Sequence, residues 1–217
     1  MQTKATLNHI IPQLCPQGYN NIKDRLFIKF VHKGSDCLKN SHFTTLFDFA
    51  MTYHIYIADT DNTLLSCRVS DSMMNLFQID SDRLHADALA SMQKIFPEKI
   101  CFMEEFIPYE RIEKTPTVVL TTQKLLCGGP SILYPGALQK ASEMLHGSLY
   151  LIPSSTEEFY AINDHNRDPE RIQFCKNKLE GINEFNRNYD TDHYLTDTIL
   201  HYDARKHVLT TAEEIMA

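Results

Sequence analysis

Residues 117–162 read TVVLTTQKLLCGGPSILYPGALQKASEMLHGSLYLIPSSTEEFYAI, and the local signals of this stretch agree from end to end. Thr117–Thr122 is β-branched and predicts a strand. Gly128-Gly129-Pro130 turns the chain. Pro135-Gly136 opens a helix with Leu138, Ala141 and Leu145 inward and Gly147 as its stop. Leu149–Ile152 is a short apolar strand ending at a Pro153-Ser154-Ser155 corner. Strand, turn, helix and strand in one run specify an architecture but no chemistry.

Upstream, the apolar run Ile22–Val31 predicts a helical turn leading into a strand, and Lys33–His42 a polar loop. Phe47, Phe49, Met51, Tyr53, Ile55 and Ile57 alternate with Asp48, Ala50, Thr52, His54 and Tyr56. That period of two predicts a strand with one buried and one mixed, outward face. Asp59-Thr60-Asp61-Asn62 turns it into a hairpin with Leu64–Val69. Ser81–Phe96 predicts a helix capped by Ser81 or Asp80, with Leu84, Ala88, Met92 and Ile95 buried and Pro97 as its stop. Ile100–Ile107 predicts a further strand. Downstream, Asp168 caps a long helix that starts at Pro169 and buries Ile172, Cys175, Leu179 and Ile182. Thr198–Leu209 predicts a last hairpin. The expected fold is therefore α+β, mostly antiparallel sheet with three or four helices. The expected domains are an N-terminal arm (1–20) and two α+β lobes (21–110 and 111–217), joined at the charged connector Pro108–Pro116 or fused into one continuous domain.

Charge excludes one class of partner. Residues 1–155 carry 14 basic and 15 acidic side chains, and residues 156–217 carry 7 and 13, within a net charge of -7. An acidic C-terminal third without a compensating basic cluster disfavours a nucleic-acid partner. The first eighteen residues, MQTKATLNHIIPQLCPQG, lack the apolar core of a signal peptide. No apolar run approaches the ~18 residues of a membrane span. The expectation is a cytoplasmic protein without a membrane partner. Cys15, Cys37, Cys67, Cys101, Cys127 and Cys175 form no CxxC pair, which argues for free thiols rather than a zinc site or disulfide framework.

The motifs that carry chemistry elsewhere are incomplete. Gly128-Gly129-Pro130 lacks the lysine and hydroxyl of a phosphate-binding loop. Asp59-Thr60-Asp61-Asn62 and Asp190-Thr191-Asp192-His193 lack the glycine and glutamate of a calcium loop. Ser154…Glu157 and Ser155…Glu158 have the spacing of capping boxes. Ser154 or Ser155 as a nucleophile, with His146 or another histidine as base, is the catalytic alternative, but the GxSxG elbow is absent. His193, His201 and His207 lie among acidic residues near the C-terminus. His201 and Asp203 would share a strand face and are the weak metal candidates, without any zinc signature.

Three blocks carry a resemblance: NIKDRLFIKFV (21–31), LFDFAMTYHIYI (46–57) and LTTQKLLCGGPSILYPGALQKASEMLHGSLYLIPSSTEEF (120–159), with TDTILHYDARKHVL in support. Together they resemble a bacterial domain-of-unknown-function family, family 5688, of gut Firmicutes. The resemblance implies a fold and a bacterial source, and no activity. It also implies an N-terminal segment in longer members, and a histidine at the first position of what is here the Glu157-Glu158 pair. The resulting expectation is a non-catalytic binding or interaction domain. Its partner would be a protein or small molecule, and no cofactor is expected. A serine hydrolase at the Pro153-Ser154-Ser155 corner is the alternative.

Overall fold

The computed structural model describes residues 18–60, 63–107 and 115–215. Cys15, Asp61, Asn62 and nearly all of the 108–116 connector lie outside them. The fold is α+β, built on two antiparallel sheets.

Two 3₁₀ turns at Tyr19–Asn21 and Lys23–Arg25 lead into β1 (Leu26–His32), the first strand of the smaller sheet. Its spine is β3 (Phe49–Thr60), which pairs with β1 along one edge. Along the other edge β3 pairs first with β2 (Phe43–Leu46), then with β4 (Thr63–Arg68). Two expectations for this strand need correction. Phe47 is not part of it: Phe47-Asp48 forms the tight β2–β3 turn, with Phe47 at φ 54 and Leu46 paired to Phe49. Nor does the second face look outward, because Ala50, Thr52 and His54 are as buried as Phe49, Met51, Tyr53 and Ile55. Ile57 is only half-buried. Two packed faces erase the contrast that alternation was taken to report.

Helix α1 (Asp71–Phe77), absent from the sequence expectation, is capped by Ser70. Helix α2 (Ser81–Ile95) follows, capped by Asp80 through the Arg83 amide and burying Leu84, Ala88 and Met92. The segment expected to be strand from Ile100 to Ile107 is divided. It is β5 (Glu98–Phe102), then a single helical turn, α3 (Met103–Phe106).

The larger sheet has the order β10-β9-β7-β8-β6-β5. Here β6 is Thr117–Thr122, β7 Leu149–Pro153, β8 Phe159–Asn163, β9 Leu200–Asp203 and β10 Val208–Thr211. Helix α4 (Ala137–Leu145) crosses from β6 to β7, and β8 then lies between them, antiparallel to both. Helix α4 ends at His146, which takes the left-handed conformation (φ 60) expected of Gly147. Gly147 is required for a different reason, since a Cβ there would lie 2.7 Å from Asn163 Nδ2.

Both faces of the larger sheet are covered, so β6 and β7 are buried at every position. Leu149, Leu151, Phe159 and Ala161 join the main core, which continues through Phe27, Phe30, Phe49 and Tyr53 of the smaller sheet. Tyr150, Ile152 and Ile162 face the opposite way, onto Ile172, Cys175 and Leu179 of α5 (Pro169–Tyr189). The stripe of α5 continues through Asn183 and Asn186, whereas Ile182 is half-buried.

Candidate functional site

Between β8 and α5 the chain reads Asn163-Asp164-His165-Asn166-Arg167-Asp168. Three consecutive residues, His165, Asn166 and Arg167, have φ of 48, 59 and 65. Left-handed backbone at a non-glycine costs of order 1–3 kcal/mol per residue, and such strain concentrates at ligand sites and switches. It is held by the two preceding side chains. Asn163 Oδ1 accepts the His165 amide, and Asp164 Oδ1 accepts the Asn166 amide. The Asp164 carbonyl accepts the amides of Arg167 and Asp168. Asn163 Nδ2 donates to the Leu145 carbonyl and so ties the turn to the end of α4.

Around this turn lies a cavity of ≈ 640 Å³, walled by His146 to Ser148, Asn163 to Arg167 and Asp203 to Arg205. Its carboxylates are already engaged. Asp164 Oδ2 meets His201 Nε2 at 2.9 Å beneath the cavity, where the histidine is 1% exposed. Burial pushes the Asp164 carboxyl up. The bonds from His201 and the Asn166 amide, with the charges of His201 and Arg167, outweigh it and hold the group below its ordinary value. Asp203 accepts the amides of Arg205 and Lys206 and lies 3.8 Å from Arg167. The donors are not engaged: among the described residues, the side chains of Arg205, His146 and His165 have no hydrogen-bond partner. A second, more apolar cavity of ≈ 460 Å³ adjoins, sharing His146, Asn163 and His165 and adding Phe102, Pro116, Met144 and Ile162. Together the cavities offer side-chain hydrogen-bond donors beside an apolar wall of Phe102, Pro116, Met144 and Ile162, with Arg171 also lining the second.

The residues singled out from sequence are sorted by this geometry. His146 and Asp203 line the cavity, and His201 supports it from below. Among the described residues no three of His, Cys, Asp and Glu converge as a metal set. His146 does not meet the serines. It sits before β7 and they sit after it, about 17 Å away at the ~3.4 Å rise of extended chain. The capping boxes also need correction. No helix follows the serines, which belong to the β7–β8 loop closed by the Pro153–Phe159 pair. Ser154 Oγ donates to Glu158 Oε1 at 3.2 Å, and Ser155 Oγ accepts the Glu157 amide at 3.0 Å. Both bonds are local turn bonds. The 163–167 turn went unnoticed in sequence, although its run of Asn, Asp and His before Pro169 is the composition that tolerates left-handed backbone.

A family model matches residues 12–204. The chain belongs to DUF5688, a family of unknown function. No curated protein and no solved structure matches it. The DUF5688 match takes in the cavity walls from His146 to Ala204 and stops one residue short of Arg205. Among the described residues no helix is long and apolar enough to cross a membrane.

Proposed function

We propose that the cavity at the 163–167 turn makes this DUF5688 chain a binding protein for a small amphipathic anion, a carboxylate or phosphate with a short apolar tail, and that this cavity itself is non-catalytic. The ligand would sit across the two adjoining cavities. The observation that carries this reading is the division of labour in the wall. Asp164 and Asp203 are spent on internal donors, while Arg205, His146 and His165 face the cavity with nothing to donate to. An anion answers those donors, and Phe102, Pro116, Met144 and Ile162 answer an apolar tail. A cytoplasmic setting suits the buried free thiols Cys101, Cys127 and Cys175.

Thermal unfolding in the presence of octanoate, octyl phosphate, octanol and octylamine tests the reading. Octanoate or octyl phosphate is expected to raise Tm saturably, and the alcohol and the amine not. The double substitution Arg205→Ala, His165→Ala is expected to abolish the shift. Failure of both anions, or an equal response to octanol, overturns the proposal.

A further inference from the structure

His42, at the entry to β2, is bonded through both ring nitrogens. Its Nδ1 lies 2.7 Å from Asp71 Oδ1 and its Nε2 lies 2.9 Å from Ser81 Oγ. The three residues come from separate places: the start of β2, the first residue of α1 and the first residue of α2. Each carries the atom that serine acyl transfer requires. A carboxylate on Nδ1 holds the tautomer whose Nε2 is a lone pair, and that lone pair faces the serine hydroxyl. The ring is held in place by the His42 amide bond to the Val69 carbonyl and by Tyr53, whose ring centre is 6.0 Å away. Tyr53 is itself fixed by bonds to Thr44 and His85. Asp80 takes the capping role at α2, its side chain and carbonyl accepting the amides of Arg83 and Leu84. Ser81 is thereby free of the cap, and its own amide and that of Asp82 precede the helix ladder.

We infer that Ser81, His42 and Asp71 form an acyl-transfer site, distinct from the cavity at 163–167, that hydrolyses small soluble esters. Ser81 Oγ attacks the ester carbonyl as its proton passes to His42 Nε2. Asp71 stabilises the imidazolium through Nδ1–H, and the Ser81 and Asp82 amides face the tetrahedral oxyanion. The C–O bond to the leaving alcohol breaks as His42 returns the proton to it, leaving acyl-Ser81. Water, deprotonated by His42, then attacks the acyl carbon, and His42 returns that proton to Ser81 Oγ as the acyl–Oγ bond breaks and the acid leaves. The Asp71 side chain is 80% exposed and that of His42 16%, so the site is shallow and favours short acyl groups over long ones.

The bland alternative is a clamp, in which His42 merely ties the two helix starts to β2. A fluorophosphonate probe with peptide mapping distinguishes the two, because a clamp has no activated hydroxyl. Labelling is expected at Ser81 and absent in Ser81→Ala. His42→Gln is expected to slow it about 10²-fold, the low end for loss of a general base. Asp71 is a positioning residue on the surface, so Asp71→Asn tests it with the fold intact. Its labelling rate should fall at unchanged Tm, and Asp71→Glu should recover part of the loss. Hydrolysis of p-nitrophenyl acetate should follow the same order. No adduct on Ser81 in the wild-type chain, an adduct on Ser154 or Ser155 instead, or a rate indifferent to Asp71→Asn overturns the inference.

Discussion

Asp164 is bonded through every polar atom it has, to Ser148, Asn166, Arg167, Asp168 and His201. Its carboxyl is held below the ordinary 3.8. A group whose folded value is depressed adds stability that is present above the unfolded value and lost as pH falls through the folded one. Asp164→Asn is therefore expected to cost about 3 kcal/mol at neutral pH, the lower end for breaking a buried pair. It should also flatten the acid limb of the stability curve below 3.8. Urea melts across that window check both. Gly128 shows a different single-residue constraint. A Cβ there would lie 2.0 Å from the Glu157 carbonyl oxygen and 2.1 Å from Thr121 Oγ1. Gly128→Ala is expected to cost about 3 kcal/mol, the upper range for overpacking, since backbone cannot swing aside. Gly128 was legible as a turn residue. Its contact with a loop 29 residues on was not, because only the assembled sheet brings them together. His146 and Asp203 were likewise visible as residue types. What they face depends on the Asn163–Arg167 turn.

In α2 and α5 an apolar stripe on one face made the helix legible, whereas the short α1 was not. In α5 the spacing Ile172, Cys175, Leu179 located the buried face, but periodicity stops where asparagine replaces it. Asn183 Nδ2 donates to the Thr196 carbonyl and to Asp197, and Asn186 Nδ2 to the Ser154 carbonyl. These latches pin the last turns of α5 to the β7–β8 loop and to the approach to β9. A hydropathy pattern counts them as solvent-facing. Asn186→Ala should cost about 1–3 kcal/mol by leaving the Ser154 carbonyl unsatisfied. The loss should also appear as faster amide exchange at the end of α5, while the Pro169 end stays protected. Strand β3 fails in the opposite way, because packing on both sides makes its polar positions interior. His54 is the extreme case. Burial, aided by the charges of Lys29 and Arg68, pushes its pKa far down and keeps it neutral.

The two sheets share one core and are also tied by polar contacts, Lys124 to Asp59 of β3 and the Asp48 turn among them. Phe30 lies edge-on to Phe159 across the gap. Asp48, in the β2–β3 turn, accepts hydroxyl bonds of 2.6–3.0 Å from Thr196 and Thr198, which precede β9. A shared core predicts one cooperative unfolding transition. Far-UV dichroism and tyrosine fluorescence, which no tryptophan obscures, are expected to report the same midpoint. Two separated midpoints would instead show that the two sheets unfold independently; β5 (Glu98–Phe102) belongs to the larger sheet, so a boundary near residue 110 would not separate them. Asp48→Ala should lower stability by about 1.5–3 kcal/mol, the range for bonds to a charged acceptor, moving the common midpoint down without splitting it. Fold class was readable from the chain because turns and alternation are local. The contact at Asp48 was not, since Asp48 and Thr196 are 148 residues apart.

Synthesis delivers β6 and then β7 before the strand that must lie between them. In the folded sheet β6 and β7 run parallel with β8 between them. They stand about 10 Å apart, twice the ~4.8 Å spacing of paired strands, so before β8 is made neither strand has its partner on that side. Their amides and carbonyls are open to any passing strand. Helix α4, which connects the two strands, packs on β5, β6 and β8. Phe159–Asn163 begins ten residues after the start of β7 and fills the gap. A nascent chain paused between Pro153 and Phe159 would expose the gap longest, and pulse-labelled chains stalled there should be the most sensitive to protease.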